Sequence, residues 1–249
     1  MQSKKIILLG MIFSLVIGTA GCAPSSSQSE SLEGIPDRWT TEEEKIVVFA
    51  EGEPEGFWAR NDRGNGGMFN CSFGKDNAKI TDGYLILTID KQNDRYVGAE
   101  YRTYHQYSYG FYSVSMKPAK CSGVITSFFT YTGRPWDEID IEFLGNDTTK
   151  VQFNYFVSGE GGHEYIYDLG FDASEEFHEY AFDWQPDSIT WYVDGKAVYK
   201  VTGDMPQTAG NIMMNFWNVA DYKANWAGKF EGKNLPITAQ YEWIGFSSE

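Results

Sequence analysis

The 249-residue sequence is short of positive charge and of cysteine, and it has no apolar run long enough to cross a bilayer comfortably. Lysine and arginine number 20 against 35 acidic residues, so the formal net charge is −15. An acidic surplus of this size disfavours nucleic acids and other anionic partners. The three histidines and three cysteines show no zinc-ligand spacing. These shortages favour an uncharged substrate and a secreted, soluble protein.

The N-terminus has the order of an export signal. Two lysines precede the apolar run 6–17, and the stretch Thr-Ala-Gly-Cys ends at Cys22. Small residues before a cysteine resemble a bacterial lipobox, so residues 1–22 are predicted to be a lipoprotein-type signal peptide with lipidation at Cys22. Thr19 stands where leucine is usual, which leaves ordinary cleavage and free secretion open. A membrane anchor helix is a further alternative for the apolar run. The protein is therefore predicted to be exported, with a lipid anchor at Cys22 as its membrane contact.

The rest of the chain predicts a single all-β domain. Residues 23–35 form a Ser-rich tether without core-forming residues, and the folded domain is predicted to occupy residues 36–249. Aromatic residues make up 16% of the sequence, which favours strands over helical bundles. Asp-Gly pairs at 82–83 and 194–195 are hairpin signals, and no stretch has a convincing helical period. This pattern predicts a jelly-roll β-sandwich of two stacked antiparallel sheets.

One short stretch carries most of the functional information. From Glu138 to Phe143, acidic and apolar residues alternate strictly. Successive side chains of a strand point to opposite faces, so Glu138, Asp140 and Glu142 share one face. Three like charges in a row repel, and a purely structural strand has no reason to carry them. A solvated sheet face is the alternative, but the β-branched residues between the acids favour a buried strand whose carboxylates line a cleft.

Paired carboxylates on a strand suit glycoside hydrolysis. The Cα atoms of Glu138 and Glu142 are about 13 Å apart on a strand, and their side chains can lean inward. A carboxyl separation of about 5–6 Å is then reachable, which is the gap of retaining glycosidases. One glutamate would attack the anomeric carbon while the other protonates the leaving oxygen. Asp140 can hydrogen-bond one of them, crowding gives the acids different pKa values, and Trp136 on the same face can stack on a sugar ring.

The acid stretch also resembles a known family signature. Residues 137–145, Asp-Glu-Ile-Asp-Ile-Glu-Phe-Leu-Gly, resemble the signature of glycoside hydrolase family 16. The stretches that resemble its lichenase branch, the bacterial endo-β-1,3-1,4-glucanases, are 114–120, 127–133, 147–155, 169–174, 191–195 and 212–215. The likeness runs from about residue 67 to the end of the chain. It implies a jelly roll with a sugar cleft on its concave sheet, and it makes residues 36–249 the catalytic domain.

The resemblance implies roles for individual residues. Glu138 matches the family's nucleophile, Glu142 its acid/base and Asp140 the assisting aspartate. Lichenases cut β-1,4 bonds that follow a β-1,3-linked glucose, so the expected partner is a mixed-linkage β-glucan. The residues at positions that bind glucan in lichenases are Asn70, Glu100, Arg102, Phe129, Tyr131, Trp136, Asn154, Asn215 and Trp217.

The expectations for cofactors, assembly and thiols also follow from the resemblance. No cofactor is expected for catalysis, and a monomer is expected. Several relatives bind a structural calcium near the C-terminus, where Glu242 stands here, but the sequence assigns no metal ligands. Cys71 and Cys121 could pair outside the cell or stay free. Many relatives bridge the position of Cys71 to the position held here by Gly98, which implies that this bridge is absent.

Some features depart from the family pattern and leave other functions open. The loop 132–135 is shorter than in most lichenases and puts Arg134 at the predicted cleft rim, and Phe156 replaces a common tyrosine. A xyloglucan-active enzyme uses the same acid motif, whereas laminarinases usually insert one extra residue and are disfavoured. A non-catalytic sugar-binding module would make the acids incidental. A transglycosylase would differ only in how well water competes for the intermediate.

Overall fold

The computed structural model describes residues 28–62 and 66–248, so the predicted leader and Cys22 lie outside the described residues. Seventeen strands account for most of the described part: β1 (Gln28–Ser29), β2 (Lys45–Val48), β3 (Phe57–Ala59), β4 (Ser72–Phe73), β5 (Ala78–Thr81), β6 (Tyr84–Gln92), β7 (Arg95–Tyr107), β8 (Gly110–Lys117), β9 (Val124–Tyr131), β10 (Glu138–Leu144), β11 (Lys150–Phe156), β12 (Tyr165–Asp168), β13 (His178–Gln185), β14 (Ser188–Val193), β15 (Lys196–Thr202), β16 (Gly210–Asn218) and β17 (Ile237–Ser247). Helical structure in the same part consists of three 3-10 turns and one short α-helix: Phe49–Glu51, Lys75–Asn77, Asp221–Lys223 and α1 (Ala224–Ala227). No helix among these residues is long and apolar enough to span a membrane.

The strands form two antiparallel sheets that pack face to face. The front sheet has the order β12-β11-β10-β9-β16-β7-β3. The back sheet has the order β1-β15-β14-β13-β8-β17-β6-β5, with β2 also paired to β17. The end of β6 pairs with the start of β7 and links the sheets, and β4 adds a two-residue parallel contact to β7. The predicted all-β sandwich of antiparallel sheets is confirmed, with this parallel contact as a local exception.

Both predicted hairpin turns are present. Thr81 pairs with Tyr84 around residues 82–83, where φ is +53° and +84°. Val193 pairs with Lys196 around residues 194–195, where φ is +47° and +72°. Two successive positive φ angles match the twist of the flanking strands, and Asp-Gly adopts them at low cost.

The core lies between the two sheets and follows from the alternation of side chains along each strand. Ile141 and Phe143 of the front sheet are fully buried. Phe143 meets Tyr180 of the back sheet edge-on, with ring centroids 4.9 Å apart. Phe153 stacks on Trp191 at 5.6 Å. Large aromatic side chains thus fill the space between the sheets, which leaves the outer face of the front sheet for the acids.

The segment predicted to be a free tether contacts the back sheet from residue 28 onward. Strand β1 pairs with β15, and Glu30 forms an ion pair with Lys200 at 3.5 Å. Leu32 and Ile35 pack on a small apolar cluster on the outside of the back sheet: Phe111, Ala181, Tyr192 and Ala197. Residues 28–35 therefore belong to the folded domain. The predicted boundary at residue 36 is too late, because these two apolar residues cover a strip that would otherwise face water.

Cys71 and Cys121 are both free thiols. Gly98 lies beside Cys71, and a Cβ atom placed on it would be 3.1 Å from the Cys71 sulfur and 2.5 Å from the Phe216 carbonyl oxygen. Burial raises the pKa of the Cys71 thiol to about 11, so it stays protonated and unreactive.

Candidate active site

Strand β10 holds the three acids in a regular, unbulged conformation. Asp140 is paired with Phe129 of β9 on one side and with Asn154 of β11 on the other. The register runs without a shift from Glu138 to Glu142 on both sides. The period of two therefore places the acid side chains on the outer face of the front sheet, called here the groove face.

Two buried hydrogen bonds from the back sheet fix the position of this strand and its neighbour. Trp191 Nε1 donates to the Asp140 carbonyl oxygen at 3.2 Å. The Tyr241 hydroxyl donates to the Ser127 carbonyl oxygen at 2.9 Å. Large rings in the core thus position the backbone beneath the acids. These two bonds add to the hydrogen bonds that β10 forms with its neighbouring strands.

The side chains of the acids are held by specific donors. Trp136 Nε1 donates to Glu138, and Asp140 is hydrogen-bonded to Glu138 from the other side. Gln152 Nε2 donates to Glu142 Oε2 at 2.7 Å. The two glutamates, four residues apart on one strand, therefore have separate hydrogen-bond partners and different surroundings.

Burial raises the pKa of all three carboxyl groups above their ordinary range. The pKa of Glu138 is raised to about 7 and that of Glu142 to about 8, while the pKa of Asp140 is raised further by its two charged neighbours. Hydrogen bonds from Trp136 and Asp140 favour the ionised form of Glu138. These two donors suit Glu138 to the role of nucleophile, whereas Glu142, whose pKa is raised further by the charge of Glu138, suits the role of general acid.

Asp137 anchors the start of the acid strand to two loops. It is 4% exposed and accepts backbone N–H bonds from Ser158, Gln207 and Thr208 at 2.8, 2.9 and 3.0 Å. Burial opposes the ionised form, but these three donors bring the pKa of Asp137 below its usual range. The three hydrogen bonds of Asp137 therefore tie the start of β10 to the loops at residue 158 and at residues 207–208.

A second charged cluster lies across the groove face on β7. Glu100 is 1% exposed and lies 3.4 Å from the Arg60 guanidinium and 3.7 Å from that of Arg102. Burial raises the pKa of Glu100 in spite of the two arginines. Arg60 also forms an ion pair with Asp62 and lies over the Phe73 ring. The cluster presents cationic and carboxylate groups that can hydrogen-bond sugar hydroxyls.

Residues 65–245 match the family model described as glycosyl hydrolases family 16. The chain belongs to this family. The match covers most of the described domain and includes every strand from β4 to β16. The predicted family membership is therefore confirmed, and the protein is a glycoside hydrolase.

Two curated relatives show how far the likeness extends. The beta-glucanase of Paenibacillus polymyxa is 53% identical over 190 residues, which are 74% of this chain and 79% of the relative. A xylanase/beta-glucanase of Ruminococcus flavefaciens is 49% identical over 215 residues, which are 81% of this chain and 27% of the relative. This family 16 chain thus spans about a quarter of the longer relative and most of the shorter one.

Solved structures agree with the branch that the sequence indicates. The beta-glucanase of Bacillus licheniformis has a TM-score of 0.78 at 45% identity, and the likeness covers 81% of this chain and 97% of that one. A prokaryotic beta-1,3-1,4-glucanase (lichenase) from a mouse hindgut metagenome has a TM-score of 0.77 at 48% identity, with the same coverage. The chain lies in the lichenase branch of family 16, and its jelly roll is confirmed.

The predicted glucan-binding residues of this family 16 domain surround the acids at different depths. Phe129 and Asn154 flank Asp140 in the sheet, and Asn215 accepts a 2.5 Å hydrogen bond from Ser127. Tyr131 is half-buried beside Glu138, and Asn70 is exposed. Glu100 and Arg102 belong to the charged cluster on β7 described above. The Oδ1 atom of Asn154 is buried without a partner among the described residues, so it can accept from a sugar hydroxyl. The roles of these residues stay predictions.

The two predicted tryptophans lie in very different surroundings. Trp136 is 41% exposed and stacks on Phe156 with ring centroids 4.7 Å apart. Trp217 is 3% exposed because Phe69 covers it at 4.0 Å and Trp226 lies on another side. Trp136 therefore offers an exposed ring surface to a sugar, whereas Trp217 is almost completely buried in this structure.

Sequence reasoning missed a pair of residues behind Glu142. Trp226 Nε1 donates to Gln152 Oε1 at 3.0 Å, and this bond orients the amide that donates to Glu142. Gln152 comes from β11 and Trp226 from α1, 74 residues later. The only signal in the sequence was that Gln152 lies two positions before Asn154, on the same face of its strand.

The calcium expectation stays untested. Glu242 accepts a 2.6 Å hydrogen bond from the Ser115 hydroxyl. Within residues 28–62 and 66–248, no group of three or more His, Cys, Asp or Glu side chains is placed to hold a metal ion. A site on Glu242 would have to be completed by backbone oxygens or waters.

Proposed function

We propose that this chain is a retaining endo-β-1,3-1,4-glucanase, which hydrolyses β-1,4 bonds adjacent to β-1,3 bonds in lichenan and cereal mixed-linkage glucan. One observation carries the proposal: Glu138, Asp140 and Glu142 share one face of a strand that is paired without a register shift on both sides. The likeness to beta-glucanases at 53% and 49% identity supports a β-glucan as the substrate class.

The first step of the proposed reaction forms a covalent intermediate. The ionised carboxylate of Glu138 attacks the anomeric carbon from below the sugar ring. The bond between that carbon and the glycosidic oxygen breaks, and the proton of Glu142 moves to the departing oxygen. Glu142 is left ionised, and the hydrogen bond from Gln152 stabilises its new charge.

The second step reverses these roles. The Glu142 carboxylate takes a proton from water, and the water oxygen attacks the anomeric carbon. The ester bond to Glu138 breaks and returns the electron pair to its carboxylate. Asp140 retains its proton through both steps because burial and its two neighbours raise its pKa, and it donates to Glu138 whenever that carboxylate is free.

The unshifted strand supports the choice of mixed-linkage glucan. Laminarinases of family 16 usually carry one extra residue within this strand, and an insertion would shift the register between Glu138 and Glu142. The decisive experiment is oligosaccharide analysis of digests of barley glucan, laminarin and xyloglucan. We expect trisaccharides and tetrasaccharides with a β-1,3 bond at the reducing end from barley glucan. Degradation of laminarin or xyloglucan alone would overturn the substrate assignment.

Azide tests the double displacement directly. Glu138→Ala removes the nucleophile and leaves space below the anomeric carbon. Azide is expected to attack an activated aryl glycoside there and to release the glycosyl azide of inverted configuration. The same treatment of Glu142→Ala is the matched control, because azide then replaces water in the second step and gives the retained product.

We also propose that the protein is exported and acts as a monomer, with lipidation of Cys22 as its membrane attachment. The leader-like order of residues 1–22 supports the proposal. Radiolabelled palmitate fed to the producing cells should enter the wild type and be absent from Cys22→Ala. A labelled Cys22→Ala chain would contradict lipidation at this residue.

A further inference from the structure

Two aromatic side chains lie at the edge of the front sheet, beyond the charged cluster on β7. Trp58 of β3 and Tyr104 of β7, called here the distal aromatic pair, stack with ring centroids 5.9 Å apart and an interplanar angle of 26°. Tyr104 is 69% exposed, which is unusual for a ring of this size. The predicted substrate-binding set does not include either residue.

The neighbours of the pair hold it in a fixed orientation. The Arg102 guanidinium lies over the Trp58 ring, 4.3 Å from its centroid. Trp58 and Arg102 are direct partners in the ladder between β3 and β7. The Tyr104 backbone N–H donates to the Gly56 carbonyl oxygen at 2.8 Å, which ties β7 to the loop before β3. Because the Tyr104 ring is already stacked on Trp58, it loses less conformational entropy on binding a ligand than an unstacked ring would.

A surface cavity of about 590 Å³ opens beside the pair. Its lining combines the two rings with polar and charged groups: Arg102, His105, Gln106 and Asn211. Apolar ring faces beside hydrogen-bonding groups match a sugar ring, which has C–H faces and a rim of hydroxyls.

The pair is continuous with the acids along one row of the sheet. From β10 to β3 the register joins Asp140 to Phe129, Phe129 to Met213, Met213 to Arg102 and Arg102 to Trp58. Four steps of about 4.8 Å place Trp58 about 19 Å from the acid strand. Tyr104 lies two residues beyond Arg102, and its stacking on Trp58 places its ring on the same face of the sheet. A polysaccharide that crosses the strands at the acids reaches the pair after several sugar units.

We propose that Trp58 and Tyr104 form a distal subsite that binds a glucosyl unit of the same β-glucan chain that is cleaved at Glu138. The inference rests on the proposed glucanase function. Tyr104 supplies the open stacking face, while Trp58 and Arg102 support it. The subsite adds affinity for long chains and contributes nothing to substrates too short to span the row.

The test compares long and short substrates in the full-length protein. KM is measured for barley glucan and for an aryl glycoside of a glucan disaccharide, in the wild type and in Tyr104→Ala. We expect the ratio of the long-substrate KM to the short-substrate KM to rise by roughly three- to tenfold, the size of one lost aromatic contact. Tyr104→Phe keeps the ring and is expected to retain the wild-type ratio.

Trp39→Ala is the matched control, because Trp39 is also highly exposed, at 60%, but lies against Gly195 of the back sheet. It should leave both KM values unchanged. An unchanged ratio in Tyr104→Ala, with trisaccharide and tetrasaccharide products still formed, overturns the subsite and leaves the proposed function intact. A wild type that releases no such products overturns the proposed function first, so the two failures are distinguishable.

Discussion

The side chains on the two faces of strand β10 have opposite effects on the stability of the fold. On the core face, Ile139 and Ile141 are fully buried, and each stabilises the fold by roughly 1.5–3 kcal/mol. On the groove face, burial raises the carboxyl pKa of Glu138 and Glu142, so their ionised forms cost stability near neutral pH. In this seven-residue strand, the residues that stabilise the fold and the residues proposed for catalysis therefore alternate along the chain and point to opposite faces. The comparison can be tested one face at a time.

The largest effect on activity is expected when the proposed nucleophile on the groove face is removed. Glu138→Ala should lower kcat by roughly 10⁵-fold or more, the scale on which a hydrolase loses activity without its nucleophile. Its melting temperature should not fall, because the variant removes a buried acid and leaves the core face intact. Steady-state kinetics on barley glucan and calorimetry measure the two quantities.

Ile139→Val is the control on the opposite face of the same strand. It should retain kcat within a few-fold and lose roughly 0.5–1.5 kcal/mol of stability. A Glu138→Ala protein with near-wild-type turnover would show that the groove face is not the catalytic face.

The next largest effect is expected from the core face. Ile141→Ala removes buried methyl groups and leaves a cavity between the sheets, so the free energy of unfolding should fall by roughly 2–5 kcal/mol. The folded fraction should keep its kcat within a few-fold, since no groove contact is lost. Denaturant titration and kinetics at low temperature measure both. A loss of turnover in fully folded protein would mean that the two faces are coupled through the backbone.

A pH titration of stability sharpens the contrast further. Because the pKa of Glu138 is raised in the folded state, folding favours the protonated carboxyl. The stability that the protonated carboxyl contributes is fully present below about pH 4 and is lost as the pH rises through about 7. Glu138→Gln does not titrate, and its stability relative to wild type should grow by up to about 3 kcal/mol between pH 4 and pH 8. Thermal melts across this range give the difference. A difference that does not change with pH would indicate that the carboxyl is not buried in solution.

The smallest effect is expected from Gln152, which lies beside Glu142 on the groove face. Gln152 donates to Glu142 and favours its ionised form, so Gln152→Leu should raise the pKa of Glu142. The alkaline limb of the kcat/KM profile should then move to higher pH by up to about one unit. Trp226→Phe keeps the ring but loses the N–H that orients Gln152, and it should shift the limb less. If the alkaline limb does not shift in either variant, Glu142 is not the general acid.

The fold and the acid face were predictable because they follow from local rules. Alternation with period two assigns Glu138 and its fellow acids to one face, and the Asp-Gly pairs specify their turns directly. The family signature then identifies the strand that carries them. None of these inferences needs to know which distant residues meet in the folded chain.

The parts that were missed depend on contacts between distant residues. The bond from Trp226 to Gln152 joins residues 74 apart, and Arg60, which directly follows β3, reaches Glu100 of β7 from 40 residues earlier in the chain. The ring contact between Phe69 and Trp217 likewise forms only in the folded chain, and the predicted role of Trp217 in glucan binding stays a prediction. Residues 28–35 were interpreted as a tether because the stretch is mostly polar, while the apolar strip that Leu32 covers is formed only by the folded sheet.

The pairing of β1 with β15 has a consequence for attachment. β1 is an edge strand of the back sheet, and the end of β17 also lies in that sheet, where Ser247 pairs with Phe111. Both ends of the described domain therefore emerge on the layer opposite the acids. A fusion partner or a solid support joined through either end would therefore attach to the domain on the layer that does not carry the acids, which keeps the attachment point apart from the groove.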